Sequence, residues 1–329
     1  MTPILLASGN GGKEYQNLID EVFYKSFKNE TLLKSEDAAV IDAGRLAFTT
    51  DSFTVTPLFF KGGDIGKLSI CGTCNDLAMM GAKPTYLSCA VIIEEGFSYE
   101  DLQRIVDSMS KELKLNGAQI VAGDTKVVPK GSVDKIFITT TGVGEITYPN
   151  ISASNLETDN VILVSSAVGR HGAAIFSARE GINLESELSS DAKSLWPTVE
   201  KLISSKITIK AMRDATRGGL AAVLNEWAQA SKVEIVVEEK AVPVSQEVLG
   251  VCELLGFDAL GLANEGTFVL CVKKDDASKA LEILKSFDDQ ATEIGLVTDS
   301  DKNRVVLQSA WGTSRILELP SGELLPRIC

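Results

Sequence analysis

LAFTTDSFTVTPLFFKGGDIGKLSICGTCNDLAMMGAKPTYLS, residues 46–88, carries the decision about the fold. It opens on an apolar run that predicts a strand over 46–50 and ends in a second run that predicts a strand over 85–93. Between them KGGDIGK (61–67) opens a proline-free stretch that predicts a helix over 64–80. A glycine loop feeding a helix presents backbone N–H groups at the positive end of the helix dipole, where an anion can bind. Lys67 lies one turn in.

The same signals recur outward in both directions. Strands are predicted over 119–122, 135–143, 161–165, 233–237, 266–272 and 305–308, and helices over 15–27, 99–115, 173–180, 220–230, 245–255 and 277–287. They mix without strict βαβ alternation, which predicts layered α+β architecture rather than a doubly wound sheet. The polar stretch 145–159 marks the boundary between a domain over 1–150 and a second over 151–311. GTSRILELPSGELLPRIC (312–329) has Pro320, Gly322 and Pro326, which forbid a continuous helix, and is expected to be a flexible tail carrying the thiol of Cys329.

Of the 329 residues, 44% are hydrophobic and 23% charged, enough apolar surface for ordinary cores. The formal net charge of −13 argues against a nucleic-acid partner. No run of about 18 apolar residues exists, so no membrane helix is expected, and a cytoplasmic location follows as the expectation. The six cysteines are expected as thiols. Cys71 and Cys74 form a CxxC within the predicted helix. No second pair follows and His171 is the sole histidine, which leaves a zinc site short of ligands. His171 itself reads as a surface or turn residue in GRHG (169–172).

Four aspartates stand at turns, beside strands or on a polar helix face: Asp37, Asp51, Asp76 and Asp124. Each suits turn formation or capping. Together they also suit Mg²⁺ on nucleotide phosphates, since that cation takes oxygen ligands and one or two carboxylates. Glycine clusters at 8–13, 61–67, 169–172 and 213–220 allow close approach of backbone to anions. SGNGGK (8–13) is not a Walker loop, because Ala7 and Glu14 stand where Gly and Ser or Thr are required.

The 46–88 stretch, together with IIEEGF (92–97), GDTKVV (123–128), RDATRGGLAAVLNEWA (213–228), ANEG (263–266) and the terminal LPRIC (325–329), resembles the HypE family of hydrogenase maturation carbamoyl dehydratases. The resemblance spans essentially the whole chain. RDATRGGL and the aspartates are shared with a wider ATP-binding superfamily that includes aminoimidazole ribonucleotide and selenophosphate synthetases. The terminal PRIC is particular to the dehydratases.

What the resemblance implies is specific. The fold would be an N-terminal α/β domain that forms a homodimer and a C-terminal α+β domain that completes a nucleotide cleft. ATP would be held by Asp51, Gly63, Asp64, Lys67, Asn75, Asp76, Gly123, Asp124 and Asp214, with Mg²⁺ on Asp37, Asp51, Asp76 and Asp124. Cys329 would carry a carbamoyl group loaded by the carbamoyltransferase HypF. Lys126 and Glu265 would handle protons as ATP drives its dehydration to a thiocyanate. A positive charge nearby helps a thiol ionise, and Arg327 is the local candidate in the sequence. The nitrile would pass to a HypC–HypD scaffold and on to [NiFe]-hydrogenase. Two other readings keep parts of the pattern: a sister synthetase phosphorylating a free metabolite, and a nucleotide-binding adaptor without catalysis.

Overall fold

Residues 46–88 fold as a strand, a two-residue hairpin, a helix and a long second strand, and the rest of the chain is built round that helix. The structure is a computed structural model describing residues 12–18, 20, 32–41, 45–181, 187–300, 302–321 and 327–329. The first half contains α1 (Lys13–Leu18), β1 (Ala39–Ile41), β2 (Leu46–Phe53), β3 (Phe59–Phe60), β4 (Gly63–Asp64), α2 (Ile65–Met79), β5 (Ala82–Glu94), α3 (Tyr99–Asn116), β6 (Gln119–Val128) and β7 (Ile136–Ile146). The second contains β8 (Val161–Val164), α4 (Arg170–Arg179), α5 (Trp196–Ser204), β9 (Ile209–Asp214), α6 (Gly219–Ser231), β10 (Glu234–Glu238), α7 (Gln246–Leu255), β11 (Phe268–Val272), α8 (Lys274–Phe287), β12 (Thr292–Thr298), β13 (Arg304–Gln308) and β14 (Ser314–Leu317).

One sheet has the order β1-β2-β7-β5-β6 and the other β14-β13-β10-β12-β8-β11-β9. Each is antiparallel except for one pair, β5 with β6 and β10 with β13. The architecture is thus mixed α/β, as expected. Helix α2 starts where Asp64 caps it, its carboxylate accepting from the Lys67 amide at 2.9 Å. All of α2 is buried except Lys67 and Asp76, which is the pattern of a helix covered on every side. Gly66 permits its close packing, since a Cβ there would stand 2.3 Å from the Ile105 carbonyl oxygen on α3. Ser98 and the left-handed Gly117 delimit α3, and Ser245 and Gly256 delimit α7, where the predicted helices over 99–115 and 245–255 end.

The two halves share polar stitches. The Asn75 amide donates to the Lys193 carbonyl and accepts from the Leu195 N–H, and Ser190 N–H donates to the Lys61 carbonyl. One apolar core runs from α2 and α3 to α4 and α7 and takes in Ile328. Cys71 and Cys74 are buried in this region as free thiols, with Cys71 donating to the Glu112 carboxylate at 3.4 Å. Among the described residues no helix is long and apolar enough to cross a membrane.

Some elements differ from expectation. Strand β6 continues six residues past 122, through the GDTKVV motif, and is exposed on both faces for nearly its whole length. Helix α5 and strands β9 and β12 were not predicted. Their sequences (WPTVEKLIS, IKAMRD, TEIGLVT) are short and interrupted by charge, glycine or proline. The helix expected over 15–27 is described only as α1. Residues 314–317 of the expected free tail pair with β13 at the sheet edge, where alternate backbone groups find partners. The glycine loop at 8–13 lies outside the described residues apart from Gly12 and Lys13.

Candidate active site

Four carboxylates are brought together where the two halves meet. Asp51 lies in β2, Asp76 near the C-terminal end of α2, Asp214 at the end of β9, and Asp37 just before β1. Thr49 donates to the Asp76 carboxylate at 2.7 Å and Thr73 to Asp51 at 3.3 Å. Arg213 pairs with Asp37 at 2.6 Å, while the second oxygen of Asp37 is buried with no hydrogen-bond partner.

Burial holds all four acids above the usual carboxylate range, because removing a charge from water is costly. For Asp76 the neighbouring Asp51, Asp214 and Asp37 add repulsion. Asp214 reaches about 7, raised by burial against the opposing pull of Arg213. Such a cluster fits a hard divalent cation. It is acidic, oxygen-rich and mutually repelling, and it contains an orphaned buried oxygen on Asp37. Among the described residues no three ligand-type side chains already close on one point, so water and phosphate oxygens would complete the shell.

Asp124 does not join them. Asp51, Thr140, Cys89 and Gly123 are register partners in successive strands, which puts Gly123 three strand spacings from Asp51, about 14 Å. Asp124 and Lys126 sit exposed on β6 and pair with each other at 2.8 Å. Gly123 faces the Cys89 carbonyl, the first of its β5 neighbours. Within a single chain, then, Asp124 and Lys126 stand apart from the other candidates. Gly63 and Asp64 shape the start of α2, and Lys67 donates to the Gly62 carbonyl at 3.1 Å. Asn75 spends its amide on the 193–195 main chain.

The tail seats its tip at the cluster. Thr54 N–H donates to the Cys329 main-chain oxygen at 2.8 Å and Thr56 N–H to the Arg327 carbonyl at 3.3 Å, strand-like contacts continuing from β2. From the other side Arg179 donates to the Arg327 carbonyl at 2.6 Å and His171 to the Ile328 carbonyl at 2.7 Å. Ile328 is buried in the shared core. The Cys329 thiol, partly open to solvent yet packed among protein atoms, is pushed up to about 12 by burial and then by the charge of Glu265, with Asp51 and Asp214 adding to it and Arg217 opposing. Glu265 is itself buried and held well above the ordinary range by burial, Asp214 and Asp191.

Two expectations are corrected here. The cation facing Cys329 is Arg217, not Arg327. The Arg327 guanidinium turns away to the Thr54 carbonyl at 2.8 Å and to Asp134 at 2.6 Å, because its neighbours on that side of the tail are acceptors. His171 is not at the surface: it is fully buried at the start of α4. Sequence reasoning also passed over Thr54, Thr56, Arg179 and Asp191. Only Arg217 carried a legible signal, its place in RDATRGGL.

Comparison with known proteins identifies the family. The family described as AIR synthase related protein, N-terminal domain, matches residues 35–146, and its C-terminal counterpart matches 157–308. The chain is 46% identical to the carbamoyl dehydratase HypE of Escherichia coli (strain K12), over 100% of both chains. A solved HypE–HypF complex superposes with a TM-score of 0.88 at 49% identity, covering 92% of this chain and 99% of that one. A HypE structure in complex with ATP superposes at 0.84 and 43% identity, covering 99% and 100%. The chain belongs to the HypE family of carbamoyl dehydratases.

Proposed function

We propose that this protein dehydrates an S-carbamoyl group on its own Cys329 to a thiocyanate at the expense of ATP. The observation that carries the reading is the seat of Cys329 beside Glu265, Asp51 and Asp214, on a tail held by bonds from both flanking walls. The carboxamide oxygen is a poor leaving group. It attacks the γ-phosphorus of ATP, the bond to ADP breaks, and the oxygen departs later as phosphate. Two N–H protons leave with it, so –S–C(=O)–NH₂ and ATP give –S–C≡N, ADP and phosphate.

Glu265 is the acceptor for those protons. Burial and the neighbouring Asp214 and Asp191 raise its proton affinity, as a proton acceptor requires, and its charge reaches the sulfur that carries the group. Arg217 offsets charge developing on the oxygen or on the departing phosphate. Asp37, Asp51, Asp76 and Asp214 would hold Mg²⁺, which when bound neutralises phosphate charge and aligns transfer. Seating of the tip between the two walls limits access of water that would hydrolyse the activated group.

Lys126 and Asp124 belong to the same reading through a homodimer. Among the described residues their strand is an unpaired sheet edge, with Ile120, Val121 and Val127 exposed, a surface that a second copy would cover. Lys126 would then serve the second copy's cleft, as a proton carrier beside Glu265, and Asp124 its metal. By family membership a HypF carbamoyltransferase loads the thiol, a HypC–HypD scaffold takes the nitrile, and the work is cytoplasmic. The test is mass spectrometry of the C-terminal peptide after incubation with the loading enzyme, carbamoyl phosphate and ATP. The carbamoylated peptide should lose one water only when ATP and Mg²⁺ are present. A carboxamide that persists under those conditions would overturn the reading.

A further inference from the structure

We propose that His171 is the positioning residue that sets the depth of the tail and, through Ser190 and Asp191, ties tail docking to the main-chain position of Glu265. The inference deepens the function proposed above and rests on it for the role of Glu265.

The imidazole is fully buried at the first turn of α4, and Phe60 packs edge-on against it with centroids 5.7 Å apart. Its Nε2 stands 2.7 Å from the Ile328 carbonyl oxygen and its Nδ1 stands 2.7 Å from Ser190 Oγ. A carbonyl has no proton to give, so Nε2 must carry the hydrogen. In a neutral ring Nδ1 then accepts from the Ser190 hydroxyl. Burial favours the neutral ring, as do the Arg179 charge and the positive end of α4; Asp191 and the bond to Ile328 work against them.

Ser190 is fixed in turn. Its amide donates to the Lys61 carbonyl at 2.8 Å, and its oxygen accepts from the Ala192 amide at 3.1 Å. The next residue, Asp191, accepts from the amides of Glu265 and Gly266, each at 3.0 Å, and from the Thr267 hydroxyl at 2.9 Å. The loop and that segment are in direct contact, since a Cβ on Gly266 would stand 1.9 Å from the Asp191 carbonyl oxygen. A continuous set of bonds therefore runs from the tail carbonyl through His171, Ser190 and Asp191 to the backbone of Glu265. His171 reads a main-chain group, so it registers where the tail sits rather than which side chain it carries.

The experiment uses the full chain and two readouts. Docking is measured as the rate of iodoacetamide modification of Cys329, followed in the peptide 324–329 released by cleavage after Glu323. Loss of one hydrogen bond to the tail predicts about tenfold faster modification in His171→Phe. Ser190→Ala should shift it in the same direction, and His171→Gln, which keeps an N–H donor, should restore much of the shielding. In single-turnover dehydration of the preloaded protein, His171→Phe and Ser190→Ala should lower the rate without weakening ATP binding. Unchanged modification rates in folded His171→Phe and Ser190→Ala overturn the proposal; if His171→Phe does not fold, Ser190→Ala and His171→Gln decide it. Modification requires no ATP. A wild-type chain that shields Cys329 through His171 yet never forms nitrile would therefore sink the dehydratase reading and leave the positioning role standing.

Discussion

The backbone amide of Thr54 donates to the main-chain oxygen of Cys329 over 2.8 Å, only three residues beyond Asp51. The chain's reactive sulfur and one of its candidate cation ligands are thereby held by the same short segment. Cys329→Ala keeps that backbone bond, so it should leave ATP binding and thermal stability near the wild-type values while abolishing every trace of nitrile. Isothermal titration with ATP and peptide mass spectrometry check the two halves of this expectation. Turnover of a soluble metabolite by Cys329→Ala would favour a sister synthetase instead.

Glu265→Gln preserves shape but removes the proton acceptor. Dehydration should fall by on the order of 10²-fold or more, with carboxamide accumulating on Cys329. Lys126→Ala should stall in the same way if Lys126 reaches the cleft of a second copy. Mixing Lys126→Ala with Cys329→Ala subunits then places an intact lysine opposite an intact tail, and activity should return. No recovery on mixing would confine Lys126 to its own chain, where β6 holds it away from the thiol.

The carboxylate cluster gives stability a definite pH dependence. Its members have folded-state affinities for protons above their unfolded ones, with Asp214 at about 7. The folded state then binds more protons than the unfolded one, so this stability is complete below about pH 4 and is lost as pH rises through the raised values. A bound divalent cation keeps the acids ionised at little cost and removes the loss. Thermal unfolding should therefore show Mg²⁺ raising the midpoint more at pH 8 than at pH 5.5. Equal shifts at both would mean these acids do not hold the ion.

Gly219 tests the backbone behind the site. Its φ is +59°, and a Cβ would stand 2.5 Å from the Leu262 carbonyl oxygen, just upstream of Glu265. Gly219→Ala should cost about 1–3 kcal/mol in urea unfolding and depress dehydration as well, because the strain falls on the segment leading to the base.

Much of this was readable from residue order. Asp64, Ser98 and Gly117 announce their helix ends through local hydrogen bonding, and three of the four aspartates singled out for a metal, Asp37, Asp51 and Asp76, stand together with Asp214. What stayed hidden depends on distant partners. Nothing beside His171 in the chain foretells that Ile328 and Ser190 will bracket its ring, since both contacts span long stretches of sequence. Asp124 shared the chemistry of the other acids, but its place on an outer strand is a property of sheet order, which local sequence does not encode. Pairing of part of the expected free tail has the same origin: β14 is joined to β13 by backbone bonds whose register local sequence does not encode.

Arg179 and His171 grip successive peptide carbonyls at 327 and 328, and Thr56 and Thr54 grip those at 327 and 329 from the opposite wall. The cleft therefore works as a ruler. Extra residues inserted upstream of Arg327 could be taken up as slack, whereas one inserted between Ile328 and Cys329 would carry the sulfur about 3.3 Å onward and turn it to the other side of the extended chain. The spacing between the held carbonyls and the sulfur is therefore fixed by the cleft.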